Sequence, residues 1–318
     1  MLSQCIFSVK TPVGPPVEII RHTFSPSQSA KPAKRVSLVA GLHGDELEGL
    51  YICHRLMETL KNLEEQNAFK GEVHIYPAVN PQALETGTRL WPFFSVDINR
   101  TFGETNAPSL VTEASRTLLE DLKSNSDLVV DFHASNLHLM ELPQIRIIKD
   151  FEKKLVPLAK LCNVDLVWVH PHAEIFESTL GYNLNRAKVP TLVIESGICL
   201  RIHKNYCDQI ILGILNLLRQ TGVIDSGEPL AEVTPPRLVQ PDYVAMIQAQ
   251  NAGLFVKQAE VGQMLKEGDK IGDLIGPDQV REEIRSPCSG LLFTLREHPL
   301  TGKGAPLARI ATEKPFKP

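Results

Sequence analysis

Val36-Ser37-Leu38-Val39-Ala40-Gly41-Leu42-His43-Gly44-Asp45-Glu46-Leu47-Glu48-Gly49 is the stretch on which the reading of this chain turns. The apolar run Val36–Ala40 predicts a buried strand, and Glu46–Gln66 has helical spacing. The Gly-rich turn between them offers an imidazole and a carboxylate three residues apart, His43 and Glu46, at the carboxyl end of a sheet strand. Such a turn is a poor way to build a core and a good way to hold a metal ion. Zinc accepts neutral imidazole nitrogen and carboxylate oxygen, and a catalytic zinc takes three protein ligands plus water. His-x-x-Glu alone is common, so the reading depends on a second His and a second carboxylate at strand ends downstream.

The rhythm of the first two thirds supplies those strand ends. Val36–Ala40, Val73–Val79, Leu128–Phe132, Val164–Val169 and Thr191–Ile194 read as buried strands. Glu46–Gln66, Ser109–Lys123, Asp150–Leu161, Ser178–Ala187 and Asp208–Gln220 read as helices. Strands alternating with helices imply an α/β domain around a mostly parallel or mixed sheet flanked by helices. After Gly222 the character changes. Pro229, Pro235 and Pro236 mark a linker, and frequent glycines from Gly253 to Gly304 break short β-like runs into a small all-β module. The expected division is residues 1–227 and 228–318.

Composition excludes several functions. The 318 residues are 43% hydrophobic and 22% charged with a net charge of −4, which gives no electrostatic footprint for nucleic acid or an anionic membrane. No apolar run approaches the ~20 residues of a membrane span, and the N-terminus has no secretory signal pattern. Six scattered cysteines without a Cys-x-x-Cys pair fit reduced thiols in the cytoplasm. A soluble cytoplasmic protein is expected, and a homo-oligomer is left open. Cys199 and Cys207 flank Arg201, His203 and Lys204, a setting that can lower a thiol pKa.

Asp131-Phe132-His133 places a histidine at the end of another strand, where ligands gather in open α/β sheets. For one histidine alone a satisfied core residue is the better reading; beside His43 and Glu46 the odds reverse. In Thr191-Leu192-Val193-Ile194-Glu195-Ser196-Gly197 a glutamate ends an apolar strand, which is costly for a carboxylate without a partner. Near a zinc-activated water, Glu195 can act as general base and pass the proton to a leaving amine. A strand-end cap or an ion pair is the plainer alternative. Arg89, Asn99 and Arg100 lie in a stretch without helical periodicity, where they can clamp a carboxylate or stabilise an oxyanion. His170 and His172 end a strand and are read as structural, or at most as part of a substrate pocket.

Together, His43-x-x-Glu46, Asp97-Ile98-Asn99-Arg100, Asp131-Phe132-His133 and Val193-Ile194-Glu195 resemble the succinylglutamate desuccinylase/aspartoacylase family, a branch of the zinc carboxypeptidase superfamily. The resemblance covers residues 36 to 222. It implies one Zn2+ per chain held by His43, Glu46 and His133, with Glu195 as general base. It further implies a substrate carboxylate on Asn99 and Arg100, a scissile carbonyl polarised by Arg89, and a second substrate contact from Arg186. In the tail, Val261–Asp269 and Ser286–Leu292 resemble a biotinyl/lipoyl-type β fold. No lysine stands at the attachment hairpin, so the module is read as structural and able to overhang the active site.

The expected function is a zinc-dependent deacylase that cleaves the amide bond of a small N-acylated amino acid. Its competitors are a zinc carboxypeptidase acting on peptides and a non-catalytic zinc-binding protein.

Overall fold

The structure, a computed structural model, describes residues 1–26, 34–103, 107–225, 232–277 and 281–316. An antiparallel hairpin opens the chain, β1 (Leu2–Val9) and β2 (Val17–Phe24). The alternating part follows as β3 (Arg35–Val39), α1 (Leu47–Glu65), β4 (Glu72–Tyr76), α2 (Pro81–Thr86), α3 (Leu110–Asn125), β5 (Leu128–Ala134), β6 (Leu139–Ile148), α4 (Glu152–Ala159), β7 (Leu166–His170), α5 (Leu180–Arg186), β8 (Thr191–Gly197) and α6 (Lys204–Gln220). Strands β4, β3, β5 and β8 lie parallel in that order. Antiparallel β2 and β1 extend one side, and antiparallel β6 follows β8 on the other.

Both faces of this sheet are covered, as parallel strands require because their side chains have no solvent face. On one face Val36, Leu38, Val130 and Ile194 pack with Ile52, Leu56 and Leu60 of α1 and Ile210, Ile214 and Leu217 of α6. On the other, Val39 and Val129 meet Val111, Leu118 and Leu122 of α3, with Val17 and Ile19 of the hairpin and the indole of Trp91. Apolar residues four apart on α1 and α3 form the stripe that turns each helix onto the sheet. Truncating a core residue such as Leu38, fully buried, to alanine costs about 2–5 kcal/mol in proteins generally. A reciprocal Ser109–Thr112 capping box starts α3.

The C-terminal part contains β9 (Arg237–Val239), β10 (Val244–Gln248), β11 (Gly253–Lys257), β12 (Met264–Leu265), β13 (Lys270–Ile275), β14 (Arg281–Arg285), β15 (Gly290–Arg296), β16 (Leu300–Thr301) and β17 (Pro306–Thr312). Strands β14, β13, β11 and β16 form a separate antiparallel sheet. The others continue the main sheet: β9 pairs with β7, and β15 pairs with β6 while also carrying β17. Phe293 and Ala311 share a cluster with Leu142, Leu166 and Trp168, so one patch of the seam between the two parts is apolar. The division expected near residue 228 falls within 226–231, outside the described residues.

The α/β core with an all-β tail matches the sequence expectation. The β1–β2 hairpin, the short helix α2 and strand β6 were not expected. The β1–β2 hairpin was left unassigned, and β6 was missed because Glu141, Pro143, Gln144 and Arg146 break its apolar pattern. Glu141 and Gln144 are nonetheless fully buried. Helix α6 starts one turn earlier than expected, at Lys204.

Candidate active site

The turn after β3 is built by close backbone packing. Gly41 adopts φ +70°, a conformation that favours glycine. A Cβ at Gly44 would come within 1.9 Å of the Ala83 carbonyl carbon in α2. This contact holds His43 at the carboxyl end of β3 and leaves Glu46 just ahead of α1. Strand β5 delivers His133, and the parallel β5–β8 register sets Glu195 directly opposite it.

His43, Glu46 and His133 are all buried, and one donor atom from each lies within 4.8 Å of the others. The Nδ1 of His43 is 2.8 Å from Glu46 Oε1, and the Nδ1 of His133 is 2.8 Å from Oε2. Outside them, His43 Nε2 is 3.0 Å from Asp97 Oδ1 and His133 Nε2 is 3.0 Å from Asp131 Oδ2. A carboxylate on the far nitrogen of each imidazole is the arrangement that orients histidine ligands around a metal. The Ala134 amide also donates to Glu46 Oε2 at 3.2 Å.

The charges support the same conclusion. Burial works against an imidazolium at either histidine. The carboxylates of Glu46 and Asp97 still raise His43 above its ordinary pKa, and those of Asp131 and Glu46 raise His133 well above. Burial would raise Glu46, yet the two imidazoles hold it below the usual carboxylate range. The surrounding carboxylates thus favour positive charge at both rings. A divalent cation among these donors would supply the positive charge that the Glu46 carboxylate attracts. Two imidazole nitrogens and a carboxylate are donors that suit zinc, so the residues fit the ion.

A cavity of about 550 Å³ opens over this cluster, lined among others by Arg89, Asn99, Arg100, Arg146, Glu195 and Arg309. Arg89 spans two carboxylates, with Nη1 3.0 Å from Glu46 Oε1 and Nη2 3.3 Å from Asp97 Oδ2. Asn99 is buried; its backbone N–H donates to Asp97 Oδ1 at 2.8 Å and its Oδ1 accepts from the Leu180 amide at 2.9 Å. Arg100 is exposed to the cavity mouth and donates to the Asn99 carbonyl at 2.8 Å. The Glu195 carboxyl is pushed up to about 7, first by burial and then by Glu46 and Glu141, against the pull of Arg146 and His133.

Arg186 is a correction. It is exposed at the end of α5 and does not line the cavity. Gly181, Tyr182 and Asn185 of that helix do, and residue 186 lies about 100° round the helix from 185. The cysteine setting is a second correction. Burial and the nearby Glu48 push the Cys207 thiol up to about 12, and burial with the Glu46 and Asp45 carboxylates raises Cys199 as well. His170 lines the cavity, whereas His172 pairs with Asp150 and Glu177 at the surface.

Sequence reasoning missed Glu141, Arg146 and Arg309. Arg146 donates to Glu195 Oε1 at 3.1 Å. The available signal was polar residues inside a β-like stretch, Glu141-x-x-Gln144-x-Arg146, which makes sense only if that strand lines a site.

Residues 32–221 match the model of the succinylglutamate desuccinylase/aspartoacylase catalytic domain. The chain belongs to this family. Among curated proteins it is similar to an N-alpha-acetyl-L-2,4-diaminobutyric acid deacetylase of Halomonas elongata, 23% identical over 283 residues that cover 86% of this chain and 81% of that one. Among solved structures it is similar to the product-bound ectoine utilization protein EutE (DoeB) from Ruegeria pomeroyi, with a TM-score of 0.78 at 19% identity over 94% of this chain and 90% of that one. A succinylglutamate desuccinylase/aspartoacylase from Rhodobacter sphaeroides also has a TM-score of 0.78, at 21% identity over 99% of this chain and 96% of that one. These likenesses show the fold of the family. Among the described residues no helix is long and apolar enough to cross a membrane.

Proposed function

We propose that this family member is a zinc-dependent deacylase that hydrolyses the amide bond of a small N-acylated amino acid in the cytoplasm. One observation carries the reading: a partly buried carboxyl, Glu195, stands across one strand pair from His133, in the cavity that holds the His43–Glu46–His133 donor set. A relative named as an acyl-amino-acid deacetylase supports the substrate class.

In this reading His43, Glu46 and His133 hold the cation, and Asp97 and Asp131 fix the two imidazoles. When bound there, zinc supplies Lewis acidity, polarising a carbonyl and acidifying water. Glu195 takes a proton from the attacking water onto its carboxylate and returns it to the nitrogen of the leaving amine. Arg89, already beside Glu46, presents positive charge to the oxygen on which charge develops. Asn99 and Arg100 hold the substrate carboxylate at the cavity mouth.

The test is metal analysis joined to hydrolysis of a panel of acetyl-, succinyl- and formyl-amino acids, with dipeptides alongside. One zinc per chain and preferential cleavage of an acyl-amino acid is the expected result. Preferential cleavage of dipeptides would favour a carboxypeptidase, and saturating zinc without any hydrolysis would favour a binding protein.

A further inference from the structure

Glu195 is tied through a row of side chains to the last strand of the chain. The β6–β15 and β15–β17 registers set Glu141, Thr294 and Arg309 opposite one another across three neighbouring strands. Residues opposed in this way present side chains to the same face of a sheet. Here they converge on the Glu141 carboxylate. Its Oε1 accepts from Arg309 Nη1 at 2.7 Å and from Thr294 Oγ1 at 3.3 Å. Its Oε2 accepts from Gln144 Nε2 at 2.9 Å and from Arg146 Nη2 at 2.5 Å. The other guanidinium nitrogen of Arg146 reaches Glu195. The Trp168 ring backs both arginines, with its centroid 5.9 Å from the Arg146 Cζ and 5.4 Å from the Arg309 Cζ.

We propose that Arg309 is a positioning residue for the reaction: by sharing Glu141 with Arg146, it leaves Arg146 free to orient the Glu195 carboxylate. The C-terminal part of the chain thereby completes the active site. The inference rests on the reading of Glu195 as general base. Its physical basis is the cost of an uncompensated buried charge. Glu141 is fully buried and holds two guanidinium partners. Without Arg309, Glu141 keeps Arg146 as its cationic partner among the described residues and draws both of its Nη groups, so the contact to Glu195 is lost. Glu195 then samples orientations that do not face the attacking water, and misplacements of about 1 Å cost on the order of 10²-fold in rate.

The experiment is a double-mutant cycle on the zinc-loaded enzyme, with Arg309→Ala measured alone and in the Glu195→Gln background on the best substrate of the panel. Arg309→Ala should lower kcat about 10- to 100-fold, with KM within about twofold of wild type and zinc content unchanged. The same change should have almost no further effect once Glu195 is replaced, because residues acting through one group are not additive. Free guanidinium or Arg309→Lys should restore part of the lost kcat. Should Arg309→Ala fail to fold, Thr294→Val removes the neighbouring contact, and a kcat loss of about twofold that vanishes in the Glu195→Gln background is the expected result. Unchanged kcat, a raised KM with kcat preserved, or equal losses in both backgrounds would overturn the proposal; the raised KM would make Arg309 a substrate contact instead. Full activity of Glu195→Gln alone would instead overturn the general base, and this inference with it.

Discussion

The two ends of the cavity are assembled in different ways. At the metal end, His43 and Glu46 come from one turn, and His133 comes from the next strand of the sheet beside it. At the arginine end, Glu141 and Arg146 come from β6 and Arg309 from a strand more than 160 residues later, brought together by sheet register. A short-range motif can be read from spacing, because a turn after a strand dictates where its side chains go. A site assembled across β6, β15 and β17 has no spacing to read.

If this contrast is right, the two ends should respond differently to mutation. The largest effect belongs to the metal end. Asp131→Asn leaves His133 in place but removes the carboxylate from its Nε2, and zinc affinity should fall about 10- to 100-fold. A competition titration with a chelator checks this, and unchanged affinity would break the link between that carboxylate and the metal.

A smaller effect is set where the two ends meet, at Glu195. Burial pushes its carboxyl above the ordinary range, to about 7, and only the carboxylate accepts a proton. Activity should therefore rise with pH and fall as pH drops through the Glu195 pKa. A bound cation favours the carboxylate, so the acid limb of kcat in the zinc-loaded enzyme should lie between the ordinary carboxyl value and about 7. A pH–rate profile flat from 5 to 8 would contradict this.

The smallest effect separates residues that line the cavity from those that only neighbour it in sequence. Arg186→Ala should stay within about twofold of wild type in kcat/KM, because surface changes away from a site have little effect. A tenfold rise in KM would place Arg186 back at the substrate.

Much of the fold was legible for a physical reason: buried parallel strands are apolar along their whole length, and helices packed on them show a 3.6-residue stripe. The strands that lead to His43 and carry His133 and Glu195 followed from that rule. Strand β6 did not, because lining a polar cavity gives it Glu141, Gln144 and Arg146 where a core strand would carry aliphatics. Arg186 was misplaced because the sequence fixes position along a helix without fixing which face meets the cavity. The tail was legible as β-rich, since its turns are local. That β15 and β17 join the catalytic sheet was not, because pairing partners lie far apart in sequence.

The central claim is that a zinc cluster and a general base meet in this cavity to hydrolyse an amide. Glu195→Gln tests it most directly, since it keeps the shape of the side chain and removes its basicity. The variant should bind one zinc per chain as the wild type does, while kcat falls by about 10²-fold or more. Full turnover in a zinc-replete Glu195→Gln protein would contradict the account.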